Sequence, residues 1–217
     1  LDRLDTALKN GRGVMLILAH YGANQMVMSA VGHRGYRMDQ LGAPASVWDR
    51  VINDRSTTPM KRRGLEIRAA LEDTLPANIL DPEKKLKEAL KGLKENHVLG
   101  VAADGAAGEG WIACPFLGRR IRLGKGPFGI LKATGCEALP AFMVRDRSGR
   151  QCLQIGKPLA LPTEMGKDAA ISEGAARFAK VLEDYVRQRP GHYLHFLALR
   201  RRMAGLGDPP RLEPAGG

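Results

Sequence analysis

Two polar side chains each stand directly after an apolar run, and both belong to residue types that carry catalysis. His20 follows the apolar run 13–19, and Asp104 follows the run 98–103. In an open α/β sheet, ligands bind at the carboxyl ends of the strands, which is where both residues would lie. A neutral imidazole at that place can take a proton from an attacking hydroxyl. We therefore regard His20 as a candidate general base; the alternative is that it only caps a helix or fills the rim of the sheet.

Small residues follow His20 and predict the start of a helix. The backbone N–H groups of Gly22 and Ala23 at such a start can face a developing oxyanion. Both groups are therefore candidate donors to a reacting oxygen.

The elements that must position these residues alternate between strand and helix. Continuous apolar runs are typical of parallel strands that are covered on both faces. The alternation predicts one three-layer α/β domain with a mainly parallel central sheet flanked by helices. We assign residues 1–204 to this domain and residues 205–217 to a flexible tail rich in proline and glycine. The predicted strands are 13–19, 36–41, 97–103, 111–116, 120–123, 137–144 and 152–155, and the predicted helices are 2–10, 20–31, 46–54, 61–71, 81–96, 126–134, 169–188 and 192–202.

The net charge restricts the kinds of molecule that this protein is expected to bind. The formal net charge of +11 at pH 7 favours a nucleic acid, an anionic membrane surface or a phosphorylated substrate. Aromatic residues make up 5% of the chain, which is a low fraction for a protein that stacks nucleic-acid bases on its surface. No nucleic-acid recognition module is recognisable either. We therefore expect no nucleic-acid partner and favour a phosphate-bearing lipid or small molecule.

A basic run without acidic residues lies in the second half of the chain. It can meet anionic lipid headgroups, with each charge contributing about 1 kcal/mol near a membrane surface, or an acidic carrier protein. The alternative is a solubilising face. Its members are Arg119, Arg120, Arg122, Lys125 and Lys132.

Cysteine and histidine spacing argues against disulfide and metal chemistry. The three cysteines lack a CxxC spacing, which fits reduced thiols in the cytosol. The other histidines show no metal-ligand spacing, so we predict no metal site. The longest unbroken apolar stretch, Val14–Ala19, is far shorter than the roughly 18–20 residues of a membrane-spanning helix. Because Leu1 is not an initiator methionine, we expect the natural chain to begin before it.

Several motifs in order resemble those of one enzyme family. The segment His20-Tyr21-Gly22-Ala23-Asn24-Gln25, after its apolar strand, resembles the H-x4-D/E signature of glycerolipid-type acyltransferases. It is most similar to the branch that transfers late acyl chains to lipid A precursors. The resemblance spans Gly13 to about Arg202. Its further blocks are Arg62-Arg63-Gly64, Ala103-Asp104 with Cys114-Pro115-Phe116-Leu117-Gly118, Gly126-Pro127 with Thr134 to Pro140, and Arg189 to Leu194.

The resemblance implies an activity. It implies transfer of a fatty acyl chain from a thioester, on acyl-carrier protein or coenzyme A, to a hydroxyl of a phosphorylated lipid. His20 would be the general base, Arg62 or Arg63 would bind phosphate, and the segment Gly22–Asn24 would contact the substrate. The alternative for each arginine is a solvated helix face. No metal or redox cofactor is implied, and the expected location is cytoplasmic, on the inner face of the cell membrane. The hydrophobic N-terminal anchor of such enzymes is not in this sequence, which fits a soluble, truncated form.

The sequence departs from the family motif at its acidic position, which holds Gln25. Glutamine can hold a ring nitrogen by a hydrogen bond, but it cannot supply the negative charge that stabilises an imidazolium. Asp104 is our candidate for that charge, because adjacent strands would bring the two strand ends together. The alternative function is a catalytically weak or inactive module that binds anionic lipid or acyl-carrier protein. An acyl tunnel would need residues such as Met26, Met28 and Phe128, which we favour as core.

Overall fold

A six-stranded sheet forms the centre of the protein. The structure is a computed structural model that describes residues 1–42, 58–105, 110–162, 164–204 and 212–213. The strands are β1 (Val14–Leu18), β2 (Met38–Leu41), β3 (Ala77–Leu80), β4 (Val98–Ala102), β5 (Trp111–Phe116), β6 (Arg119–Gly124), β7 (Glu137–Arg145), β8 (Gln151–Ile155) and β9 (Leu212–Glu213). The described helices are α1 (Asp2–Leu8), α2 (Met26–Gly32), α3 (Pro59–Glu72), α4 (Leu86–Lys94), α5 (Lys125–Thr134), α6 (Lys167–Gln188) and α7 (Gly191–Ala204).

The strand order of the central sheet is β3-β2-β4-β1-β7-β8, and only β8 runs antiparallel to its neighbour. In the register of β1 with β4, Val14 lies opposite Val98 and Leu18 lies opposite Ala102. The two strands therefore end level with each other, and the Ala103 N–H still donates to the Leu18 carbonyl at 2.9 Å. This register delivers the residues that follow each strand to the same point of the sheet edge.

The apolar runs are buried because helices cover both faces of the sheet. All five residues of β1 are buried, and their side chains alternate between two hydrophobic clusters. Met15 and Ile17 pack on the side that includes Phe178 of α6, whereas Leu16 packs on the side that includes Val27 of α2. The predicted three-layer α/β fold with a mainly parallel sheet is confirmed.

A small antiparallel sheet lies beside the central one. Strands β5 and β6, which the sequence predicts as separate extended pieces, form a hairpin, and β9 pairs with β6. Leu212 and Glu213 fall in the predicted flexible tail, but Leu212 lies opposite Ile121 and Glu213 forms an ion pair with Arg122. For these two residues the prediction of a flexible tail is wrong, because backbone pairing and the ion pair hold them. The other residues of that tail lie outside the described part of the chain.

Three further element predictions need correction. β3 is a strand that the sequence pattern did not predict, because its four residues carry little apolar periodicity. The helix predicted from residue 81 begins at Leu86, because the Asp81 carboxylate instead accepts the Glu83 N–H at 3.0 Å in a turn. The helix predicted from residue 20 begins at Met26, because the Gly22 N–H donates to the distant His192 carbonyl and holds the preceding residues in a turn. The helix predicted at 46–54 lies outside the described residues.

A buried pair of histidine and aspartate side chains, His97 and Asp39, lies at the amino end of the sheet. The buried His97 Nδ1 is 2.7 Å from Asp39 Oδ2, and Asn78 Nδ2 donates to Asp39 Oδ1 at 2.8 Å. Gly92 of α4 packs directly against this pair: a Cβ on Gly92 would lie 2.3 Å from Asp39 Oδ2 and 3.0 Å from His97 Nδ1. The absence of a side chain at this helix position therefore lets α4 approach the buried pair.

We expect Gly92→Ala to destabilise the protein, although alanine favours helix more than glycine does. The added methyl group must displace a buried, hydrogen-bonded carboxylate, which costs about 1–3 kcal/mol as an overpacking change. The measurement is the free energy of unfolding in urea. Gly129→Ala in α5 is the matched control, because a Cβ there has no atom within 4 Å. It should stabilise by about 0.5–1 kcal/mol. Equal effects of the two substitutions would contradict the packing argument.

Candidate functional site

His20 and Asp104 meet where β1 and β4 end. His20 Nδ1 lies 2.8 Å from Asp104 Oδ1, and the His20 backbone N–H also donates to the carboxylate, at 3.1 Å to Oδ1 and 2.9 Å to Oδ2. Asp104 is completely buried, whereas the His20 side chain is 29% exposed. With Nδ1 turned toward the carboxylate, the His20 Nδ1–H donates to Asp104 in the neutral ring, and Nε2 carries the lone pair.

The surroundings of Asp104 favour its ionised form. Burial by itself raises the pKa of this carboxyl, but the charge of the His20 ring and the hydrogen bonds from His20 and Tyr193 outweigh burial. The pKa of Asp104 therefore lies below its ordinary value. An ionised partner at Nδ1 is the arrangement that lets a histidine accept a proton at Nε2 and hold the resulting positive charge.

Helix α7 supplies two aromatic contacts to this pair. The Tyr193 hydroxyl donates to Asp104 Oδ2 at 2.8 Å, and Tyr193 is fully buried. The Phe196 ring stacks on the His20 imidazole, with the centroids 4.4 Å apart and the planes only 4° from parallel. The two aromatic residues are three apart on the helix, which places them on one face. α7 therefore covers the carboxylate and one side of the imidazole.

Tyr193 lies in the block Arg189 to Leu194 that resembles the family, but the sequence assigned no role to it or to Phe196. The predicted helix 192–202 includes both residues, and their three-residue spacing is the signal that could have found them. Two aromatic residues with this spacing on a helix are equally consistent with ordinary core packing. What gives the pair a place in the site is the packing of α7 across the ends of β1 and β4.

The segment after His20 is a turn rather than the first turn of a helix. Gly22 has a φ of +59°, and its N–H donates to the His192 carbonyl at 2.8 Å. A Cβ at Gly22 would lie 2.0 Å from the Met143 carbonyl oxygen, so only glycine fits there. These contacts delay the start of α2 to Met26.

The same hydrogen bond corrects a predicted role. The Gly22 N–H is already used by His192, so the prediction that it faces an oxyanion is wrong for this conformation. The backbone N–H groups of Ala23 and Asn24 have no hydrogen-bond partner within the described part of the chain. Their carbonyls accept from Met26 and Val27, at 2.8 and 3.1 Å respectively. Ala23 and Asn24 are thus the available donors of this segment.

Gln25 forms no described hydrogen bond with His20. It is exposed and stands at the position before α2, and no described hydrogen bond joins it to the imidazole. The role of Gln25 in orienting the ring therefore stays a prediction, while Asp104 is the residue that is hydrogen-bonded to Nδ1 in this geometry. The sequence-based expectation that Asp104 lies beside His20 agrees with the geometry.

Arg62 and Arg63 lie on α3, away from the His20–Asp104 pair in every described contact. Both are exposed, α3 has no buried residue, and Arg63 forms an ion pair with Glu66 at 3.0 Å. The helix begins at a capped end, where the Thr58 hydroxyl accepts the Lys61 N–H at 3.3 Å. The structure therefore does not bring either arginine to the imidazole.

The residues that an acyl tunnel would need, Met26, Met28 and Phe128, do not lie on one common surface. Phe128 is in the hydrophobic cluster on one face of the sheet and Met28 in the cluster on the other, so both are core. Met26 is 46% exposed. A cavity of about 720 Å³ lies at the amino end of the sheet and is lined by residues that include Asp39, Glu95 and His97, but not by His20 or Asp104.

Two further observations concern the described residues alone. They contain no group of three or more His, Cys, Asp or Glu side chains placed to hold a metal ion. None of the helices there is both long enough and apolar enough to cross a bilayer.

The low pKa of Asp104 predicts how stability depends on pH. A carboxylate whose pKa is lower in the folded than in the unfolded chain stabilises the fold above about pH 4, and this contribution is lost as the pH falls. We therefore expect Asp104→Asn to cost roughly 2 kcal/mol near pH 7 and progressively less between about pH 5 and pH 3. Urea unfolding at a series of pH values measures this difference. Asp184→Asn, which removes an exposed partner of Lys180, should change stability little at any pH. A difference for Asp104→Asn that grows toward acid pH would contradict the assignment.

The whole of this arrangement falls within the region of similarity to one family. Residues 1–202 match the family of bacterial lipid A biosynthesis acyltransferases, a range that includes the central sheet, His20, Asp104 and the aromatic face of α7. No individual curated protein matches the chain. Because the match covers almost the entire length, the chain belongs to the bacterial lipid A biosynthesis acyltransferase family.

Proposed function

We propose that this protein transfers a fatty acyl chain from an acyl thioester to a hydroxyl of a phosphorylated lipid, with His20 as the general base. Acyl transfer to a lipid acceptor is the activity of its family. The observation that supports the proposed base is the 2.8 Å contact between His20 Nδ1 and the buried Asp104 carboxylate. This contact leaves the partly exposed ring with a basic Nε2.

The proposed reaction has two steps. In the first, Nε2 of His20 takes the proton of the acceptor hydroxyl while that oxygen attacks the thioester carbonyl, which forms a tetrahedral oxyanion. The ionised Asp104 stabilises the imidazolium that results. In the second step the oxyanion re-forms the carbonyl and breaks the carbon–sulfur bond. The imidazolium then returns its proton to the departing thiolate, so that an ester and a free thiol are the products.

Backbone N–H groups are the proposed stabilisers of the oxyanion. Ala23 and Asn24 follow His20 directly and keep unused N–H groups, which makes them the best candidates in the segment. The thioester itself supplies the activation, so the reaction as written uses no metal or redox cofactor. Acyl-carrier protein or coenzyme A would carry the thioester.

Basic residues are the proposed contacts for anionic partners. Arg119 and Arg120 are exposed, and Arg62 and Arg63 are exposed on α3, so all four can reach a phosphate or an acidic carrier. Arg122 is less suited, because it pairs with Glu213 and its side chain is only 32% exposed, whereas the side chain of Arg63, which pairs with Glu66, is 72% exposed. Since the acceptor is a lipid and the net charge is +11, we infer that the protein works at the anionic inner face of the cell membrane.

The alternative, a binding module without activity, depended on the loss of the motif acid at Gln25. Asp104 provides a carboxylate at the imidazole, so that loss is no longer an argument for inactivity. A protein that bound anionic lipid or acyl-carrier protein without consuming thioester would still favour the alternative.

Substitutions at the three residues should separate their roles. We expect His20→Ala and Asp104→Asn each to lower kcat by roughly 10²- to 10⁴-fold, because one removes the base and the other its charged partner. Gln25→Ala and Gln25→Glu should change kcat by less than about threefold, because Gln25 is exposed and forms no described hydrogen bond with the ring. The assay follows thiol release from acyl-carrier protein and coenzyme A thioesters with a panel of phosphorylated lipid acceptors. Turnover by His20→Ala equal to that of the unmodified protein would dismiss the proposal.

A further inference from the structure

We propose that Tyr193 and Phe196 are positioning residues that hold the His20–Asp104 pair in its reactive geometry. This inference rests on the proposed function, because it assigns α7 a part in that same reaction. Neither aromatic side chain is taken to exchange protons or to bond to the substrate. Each acts through the residue that it contacts.

Tyr193 restrains the carboxylate. Asp104 Oδ1 faces His20 Nδ1, whereas Oδ2 accepts the Tyr193 hydroxyl at 2.8 Å and the His20 backbone N–H at 2.9 Å. Rotation of the Asp104 carboxylate away from this orientation would lengthen the hydrogen bonds to both of its oxygens. Because Asp104 has no exposed surface, water cannot readily replace the hydroxyl. The tyrosine therefore fixes which oxygen faces the imidazole.

Phe196 restrains the imidazole. A parallel ring 4.4 Å away blocks rotation of the imidazole through that side and keeps Nε2 pointing in one direction. The face of a phenyl ring also attracts positive charge, so the stacking favours the imidazolium that forms during proton transfer. Phe196 therefore restrains the His20 imidazole in the same way that Tyr193 restrains the Asp104 carboxylate.

α7 is itself anchored on both sides of these contacts. Tyr193 packs against Phe116 of β5, with the ring centroids 6.2 Å apart. The His192 carbonyl accepts the Gly22 N–H at 2.8 Å, and His192 Nε2 accepts the Arg145 N–H at 3.0 Å. The helix is thus fastened to the turn that follows His20 and to β7. A rigid support of this kind is what precise positioning requires.

Tyr193→Phe tests the inference because it removes one hydroxyl and keeps the ring. We expect kcat to fall by about tenfold, as for loss of one hydrogen bond to a charged group, with KM nearly unchanged. The acidic limb of the kcat profile should move to higher pH, because a carboxylate that loses a donor interacts more strongly with the protonated imidazole. Phe196→Leu should also lower kcat more than it raises KM.

Tyr21→Phe is the matched control. Tyr21 is equally buried, and its hydroxyl donates to the Tyr185 carbonyl at 3.0 Å, with no contact to Asp104. It should lose a similar amount of stability while keeping kcat and the position of the acidic limb. Equal changes of kcat in the two tyrosine variants would show that Tyr193 has a structural role only. The inference would also be wrong if Tyr193→Phe changed neither kcat nor the position of the acidic limb of the kcat profile.

A spectroscopic measurement separates this inference from the proposed function. The Nδ1 proton of His20, bound to the carboxylate, can be followed by nitrogen-15 NMR whether or not the protein turns over thioester. We expect its signal to broaden or shift in Tyr193→Phe and to be unchanged in Tyr21→Phe. An unchanged signal in both variants would overturn the positioning role. Absence of His20-dependent turnover with a shifted signal would overturn only the proposed function.

Discussion

The site depends on one buried negative charge. Burial of an ionised carboxylate without partners costs several kcal/mol of folding free energy. Asp104 therefore needs hydrogen-bond donors around it. Its described partners are the ring and backbone of His20 and the hydroxyl of Tyr193. Asp104 follows β4, whereas its partners come from the end of β1 and from a helix near the C-terminus. The charge is satisfied only when all three elements are in place, and this ties the site to the fold.

The sheet meets this requirement through its register. Because β1 and β4 pair in parallel with Leu18 opposite Ala102, the residues two beyond each strand end lie side by side. A slip of one residue would turn every side chain of β1 to the other face and exchange the two halves of the core. The burial that stabilises the sheet therefore also sets the distance between His20 and Asp104.

The carboxylate that contacts His20 comes from a different place in the chain than the acid of the family motif. In the H-x4-D/E pattern, the acid follows the histidine by five residues, and Gln25 holds that position here, exposed and without a described hydrogen bond to the ring. The turn imposed by Gly22 separates Gln25 from the imidazole, since that turn ties the chain to His192. Asp104 supplies at His20 Nδ1 a carboxylate that residue 25 lacks.

The sequence by itself determined the alternation of elements, the buried central strands and the two strand ends that carry His20 and Asp104, because these depend on local apolar runs and on the general geometry of parallel sheets. It did not determine β3, the pairing of Leu212 and Glu213, or the delayed start of α2, because each depends on a hydrogen-bond or strand partner far away in the chain. Only the tertiary structure showed that Tyr193 contacts Asp104 and that Phe196 stacks on His20. Their spacing fits ordinary core packing equally well, and these contacts depend on residues far away in the chain.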